Sequence, residues 1–238
     1  MLNLNFNIVE CQRRTIAPIL ITPIEYMIIG GGGGANAGDG GNGGNGGGGG
    51  QFLSSSFDIT HLTTATIVIG NGGAGGVLQG NTGANGQNST LTYESIAIAT
   101  SNGGAGGGGA TGGTPGVNAG FAANGTLWYL SPTIQYGPQG GGGAGSFGSV
   151  ATDGGATGGG NGGDPATSAA ANSGGGGGGS NWNAFPAGSG GSGISILRYF
   201  NPNNIFDATG GTISTVGDYT YHTFTSNGTF TFLGKRDR

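Results

Sequence analysis

The residues that could do chemistry in this sequence are few, and their spacing assembles none of the common sites. The acidic residues between the glycine tracts, Asp39, Asp58, Glu94, Asp153 and Asp164, are widely scattered. A glycosidase holds two carboxyls about 5–10 Å apart across a sugar, and no spacing here brings two together, so they read as solvated surface charge. A loose Ca²⁺ site would draw on Asp and backbone oxygens, yet no EF-hand or glycine–aspartate nonapeptide repeat is present. His61 and His222 are too few for a His-rich metal cluster and lie in strand-like segments, where they read as packing or hydrogen-bonding residues. Cys11 is the lone cysteine, which excludes a disulfide framework and a CxxC metal site. Gly70-Asn-Gly72-Gly-Ala-Gly75 follows a strand-like run and spells GxGxxG. A dinucleotide site also needs a helix opening at the third glycine, and Gly80, Gly83 and Gly86 argue against one. A P-loop needs a lysine that does not occur before Lys235. The expectation is a non-enzymatic chain with no catalytic residue, cofactor or metal.

Two loops hold more aromatic surface than turns require. Residues 126–136 carry Trp128, Tyr129 and Tyr136, and residues 180–185 carry Trp182, Asn183 and Phe185. Aromatic rings flanked by amides suit carbohydrate or protein recognition at low side-chain entropy cost. Large aromatics usually bury, so the plainer reading of the same rings is as caps on the ends of a scaffold. These six are the candidate receptor contacts. The net charge of −4 and only six Lys plus Arg leave no footprint for nucleic acid. Five of those six cations, Arg13, Arg14, Lys235, Arg236 and Arg238, stand near the two ends of the sequence and are candidate docking residues. Ile16–Ile29 is interrupted by Pro18, Pro23 and Glu25, so no membrane insertion is expected. The first residues lack the basic and apolar regions of a secretory signal, and three N-x-S/T triplets therefore read as turns.

The elements that must position these loops are dominated by glycine, 63 of 238 residues, with only 7% charged residues. Glycine costs about 1 kcal/mol per helical position relative to alanine, which excludes an ordinary helical protein. Collagen needs glycine at every third position and abundant proline, whereas here glycine comes in runs such as 174–179 and there are eight prolines. Ordered glycine backbone can be held by extended threefold helices that lie close enough to hydrogen-bond to one another. The tracts at 30–34, 40–50, 70–76, 103–109, 140–148, 154–163, 174–179 and 188–193 therefore predict a polyglycine II bundle. Between them, residues 24–29, 52–60, 65–69, 91–100 and 193–199 read as strands. In residues 219–232 Thr and aromatic residues alternate on either side of Asn227-Gly228, which predicts a type I′ hairpin. The expected fold is mainly β and irregular, with almost no α-helix. Residues 1–23 would be a docking arm, 24–200 the glycine-rich domain, and 201–238 a β-hairpin module with a basic tail.

The blocks 24–34, 65–76 and 190–199, in that order and spacing, resemble the glycine-rich domain of bacteriophage structural and tail-fibre proteins. The ending 221–232 looks like the short β-module that often accompanies it. The resemblance covers nearly the whole chain and implies a polyglycine II bundle like that of T-even-like tail-fibre tip adhesins, whose inter-tract loops touch the host. It implies a virion subunit on a tail fibre or the capsid exterior. Its partners would be other virion proteins, further copies of itself, and a host-surface glycan or protein. An ice-binding polyglycine II protein is the alternative.

Overall fold

The computed structural model describes residues 21–39, 42–60, 62–78, 81–108, 128–131, 134–136, 158–181 and 185–236. Among them the fold is mainly β, and the sole helical element is a three-residue 3-10 turn, Pro202–Asn204. One antiparallel sheet contains β1 (Ile21–Ile29), β2 (Phe52–Thr60), β8 (Ile194–Phe200), β10 (Thr212–Val216) and β11 (Tyr219–Phe224), ordered β10-β11-β8-β1-β2. The second contains β3 (Thr63–Val68), β4 (Ser89–Tyr93), β5 (Ile96–Ser101), β9 (Phe206–Thr209) and β12 (Gly228–Lys235), ordered β5-β4-β3-β12-β9. A separate pair is formed by β6 (Trp128–Ser131) and β7 (Ile134–Tyr136).

Strand β1 is apolar on both sides, and it lies inside its sheet between β8 and β2. Alternation along a strand sends Ile24, Tyr26 and Ile28 to one face. There they join Leu197, Tyr199 and Phe224, together with Ala65, Ile67, Leu91, Phe230 and Phe232 of the second sheet, in one core. Met27 and Ile29 belong to a second cluster with Phe52, Ile194, Ile196 and Tyr221.

The expected hairpin at Asn227-Gly228 is corrected by the strand pairing. Strand β11 pairs with β8 and β10, whereas β12 pairs with β3 and β9, so residues 225–227 cross from one sheet to the other. A type I′ turn needs positive φ at both central residues, and neither Asn227 nor Gly228 has it. The Asn227 side-chain oxygen instead accepts the Ile69 N–H at 2.8 Å, tying the crossing to the end of β3. Aromatic residues explain the preference. In opposing sheets the two strands face their rings inward, with His222 of β11 edge-on to Phe230 of β12 at 4.9 Å and Tyr199 of neighbouring β8 edge-on to Phe232 at 5.7 Å. The two-residue turn nearby is Gly217-Asp218, where Gly217 has φ +57°. Residues 201–238 supply β9 through β12, two strands to each sheet, so chain on both sides of residue 200 shares both sheets and one core.

Extended glycine-rich segments continue from the strand ends, and residues 30–37 lie at their centre. Gly30, Gly33 and Asn36 donate backbone hydrogen bonds to Gln51, Gly48 and Asn45. Gly31, Gly34 and Ala37 donate to Gln87, Ala84 and Asn81, and Gly32 and Ala35 donate to Gly191 and Gly188. On the acceptor side, the Gly31 and Gly34 carbonyls take Gly104 and Gly107 N–H, those of Gly32 and Ala35 take Gly73 and Gly76, and that of Gly33 takes Gly177. The central segment thus touches six neighbours. Those six also bond to one another in a closed ring, as in Gly48 to Ala105, Gly86 to Gly104, Ala84 to Ala74, Gly190 to Gly73, Gly191 to Gly175 and Gly47 to Gly177. The recurrence is three residues, which neither the 3.6 of an α-helix nor the two of a strand produces.

Close approach explains why glycine is required. A Cβ on Gly32 would overlap the Gly175 carbonyl oxygen, and one on Gly33 would overlap that of Ala105. Where a glycine-rich segment faces outward and lacks a neighbour, a side chain takes over. Asn85 and Asn88 accept the Gly106 and Gly103 N–H at 2.8 and 3.0 Å. Gln51 accepts that of Asn102 at 3.1 Å, and Thr167 that of Asn161 at 2.7 Å. These Asn, Gln and Thr side chains are therefore caps for backbone donors.

This packing makes opposite predictions for two glycines. Gly32→Ala should destabilise the chain by about 4 kcal/mol or more, in the range of severe core lesions, or abolish folding. Gly108, where a Cβ meets nothing within 4 Å, should tolerate alanine and gain about 0.4–1 kcal/mol from reduced unfolded-state entropy. Denaturant unfolding of the two variants checks both.

Candidate functional site

The glycine segments leave the sheets at one end and turn at the other. Segment 30–38 runs outward from β1 and 42–51 returns to β2, just as 70–76 leaves β3 and 81–88 returns to β4. The turns therefore gather at the far end, where three large apolar side chains project. Val77 is 67% exposed, Leu78 65% and Phe185 42%. They flank one backbone bond, Ala187 N–H to Gly76 O at 2.9 Å. Ala35, Ala37 and Ala187 form a small buried cluster at this end.

Polar groups border the patch and brace its turns. Asp39 accepts the Asn42 N–H at 2.9 Å, Asp164 accepts the Asn181 N–H at 3.0 Å, and Asn81 N–H closes its turn on Leu78 O at 3.0 Å. Buried Asn36 accepts the Asn45 N–H at 2.9 Å, and its Nδ2 has no partner among the described residues. The two carboxylates make the end mildly acidic. The described cations, Arg198, Lys235 and Arg236, all lie on strands of the two sheets or just beyond β12.

Of the sequence candidates, Phe185 is placed directly in this patch. Trp182 and Asn183 lie outside the described residues, between Asn181 and Phe185. Trp128 and Tyr136 are directly opposed in the β6–β7 register, with Tyr129 opposite Gln135. Arg13, Arg14 and Arg238 lie outside the described residues. Arg236 is paired within the chain, its Nε donating to Asp207 at 2.6 Å, and Lys235 is exposed at the end of β12. Sequence reasoning missed Val77 and Leu78. Their signal was two adjacent large apolar residues after a glycine tract with no strand-like run following them.

Ionisable groups elsewhere serve the fold. Arg198 donates from Nε and Nη2 to Glu25 at 2.9 and 2.6 Å, and its guanidinium lies 5.0 Å from the Tyr219 ring centre. Burial pushes the Tyr199 hydroxyl up to about 12. His222 is fully buried, its Nδ1 2.7 Å from Gly210 O and its ring stacked 5.8 Å from Tyr199; Nε2 has no partner among the described residues. Burial holds its pKa below 6.5, the neutral form being favoured. Among the described residues no three His, Cys, Asp or Glu side chains gather as metal ligands, and no helix is long and apolar enough to cross a membrane.

The family model for the glycine-rich domain matches residues 12–200, and the chain belongs to that glycine-rich domain family. A comparison with curated proteins gives no match.

The buried histidine sets an acid limit on stability. Its folded pKa lies below the unfolded value of 6.5, so the unfolded state binds the proton more readily. The His222 contribution is complete above pH 6.5 and is lost as pH falls from there toward the depressed folded pKa. The slope is at most about 1.4 kcal/mol per pH unit. Stability of the parent chain and of His222→Gln, measured from pH 8 to pH 5, should diverge in shape, with the variant flatter below pH ~6.5.

Proposed function

We propose that the glycine segments form a polyglycine II bundle, and that the chain is a non-enzymatic structural protein of a bacteriophage virion. It would be a tail-fibre, adhesin or capsid-appendage subunit on the particle exterior that holds loops out for attachment to the host surface. The observation that carries this reading is the three-residue recurrence of backbone hydrogen bonds along 30–37 to six surrounding segments. A threefold extended helix directs successive amides to three sides, and a bundle so cross-linked is stiff. A stiff stalk with small turns is suited to holding an apolar patch away from the sheets that join it to the particle. Exposed Val77, Leu78 and Phe185, flanked in sequence by Trp182 and Asn183, supply that patch. Contiguous exposed apolar surface with a polar rim marks interaction sites. Its partner would be a host glycan or protein, while other virion proteins or further copies would join the sheet end.

An ice-binding scaffold is the second reading, favoured by outward-facing Asn71, Ala74 and Val77 recurring every third residue. Asn85 and Asn88 on the adjacent segment turn their oxygens to backbone amides, which favours attachment. A thermal-hysteresis assay separates the two.

Immunogold labelling of intact virions with antibody to this chain should mark fibre tips or the capsid exterior, and particles without label would refute the virion assignment. In a cell-binding assay, the Leu78→Ser, Phe185→Ser double variant should lose at least about tenfold in affinity, the scale of one or two lost apolar contacts. Its melting temperature should match the parent, and unchanged binding would remove the patch from the attachment surface.

A further inference from the structure

At the opposite end of the glycine segments, where they meet the sheets, a groove of about 420 Å³ is lined by Val68, Ile69, Asn71, Gln87, Ser192 and residues 225–227. Its lining includes the three-residue crossing Thr225-Ser226-Asn227 between β11 and β12 and the glycine-segment residues Asn71, Gln87 and Ser192. None of the eight lining residues is charged.

The amides in this groove are oriented by their oxygens. Asn227 Oδ1 accepts the Ile69 N–H at 2.8 Å, and Gln87 Oε1 accepts the Asn71 N–H at 3.4 Å. Each anchored amide keeps its NH₂ donors for another partner. Ser192 is occupied by Asn172, through bonds of 2.9 and 3.1 Å. Thr225 and Ser226 are exposed, and their hydroxyls both donate and accept. Val68, 39% exposed, adds an apolar surface beside them.

We infer that this groove is a binding site for a neutral saccharide. A pyranose presents a belt of hydroxyls that accept from amide NH₂ groups and exchange bonds with Thr and Ser, and an apolar C–H face that lies against a side chain such as Val68. A small number of fixed polar groups around an apolar surface is the usual construction of a small-molecule site. The absence of Lys and Arg from the lining disfavours phosphorylated or carboxylated ligands. The site is remote from the apolar tips and stands independently of the attachment surface proposed there.

The test is titration of the isotope-labelled full chain with glucose, galactose, mannose and N-acetylglucosamine, followed by amide NMR shifts. At least one sugar should give saturable shifts centred on residues 68–71, 87 and 225–228. Gln87→Glu and Asn227→Asp keep an oxygen for the Asn71 and Ile69 N–H and replace the free donors by an acceptor. Each should weaken binding about tenfold, as for a donor lost from a formed hydrogen bond. Should Asn227→Asp loosen the crossing, seen as a lowered melting temperature, Gln87→Glu on the exposed glycine-segment wall still decides. The inference is overturned if none of the four sugars gives saturable shifts, if the shifts centre elsewhere, or if affinity is unchanged in the folded variants. Such a failure would leave the attachment reading standing, since that is read from virion labelling and the tip variants.

Discussion

Buried peptide groups without side chains are the constraint on which this structure depends. Residues 30–38 are buried throughout, so their N–H and C=O groups cannot turn to water. An unpaired buried donor costs about 1–3 kcal/mol, and eight consecutive unpaired donors would cost as much as the whole stability of an ordinary domain. Each of the N–H groups from Gly30 to Ala37 is instead bonded to a neighbouring backbone carbonyl. That solution needs neighbours on every side, and neighbours so close leave no volume for a Cβ. Glycine content, closed ring and three-residue recurrence are one requirement seen in sequence, packing and geometry.

The sheets answer the remaining problem, which is register. A glycine segment carries no side chains to fix how far it slides past its neighbour. Here most of the inner segments begin or end in a strand whose apolar residues are locked in a core. Ile28 and Ile29 precede Gly30, Phe52 follows Gln51, and Ile194 follows Gly193, all of them buried. Ser89 joins the two regions, accepting the Gly70 N–H and donating to Ile29 O at 2.9 and 2.7 Å. Side-chain packing at one end thus sets the hydrogen-bond ladder along the glycine segments, and the ladder in turn fixes the turns at the far end.

Much of this was legible in the sequence. Alternation in residues 91–100 and 219–232, with strand-like runs at 24–29 and 193–199 and the poverty of helix-forming periodicity, implied a mainly β protein, and the glycine runs marked segments close enough to exclude side chains. Two features were not legible. Asn227-Gly228 has the composition of a tight hairpin, but the dipeptide reports only local preference. The inward-facing rings of His222, Phe224, Phe230 and Phe232 favour opposite sheets, a tertiary effect. Asn85, Asn88 and Gln51 look like solubilising interruptions of a glycine run. Their role as caps depends on which neighbour is missing from each segment, which only the tertiary arrangement reveals. For the candidate site, Phe185 was visible as an aromatic in a polar loop, whereas the adjacent Val77 and Leu78 carried a sequence signal whose meaning depended on finding the turns together.

The account stands or falls on the central segment, and amide hydrogen exchange of residues 30–37 measures it directly. Eight successive amides, most of them glycine and none in a strand or helix, should exchange as slowly as those of β1 and β8, because opening any one requires breaching the ring. Exchange of these amides at the rates of an unstructured glycine chain, with β1 and β8 still protected, would contradict the account.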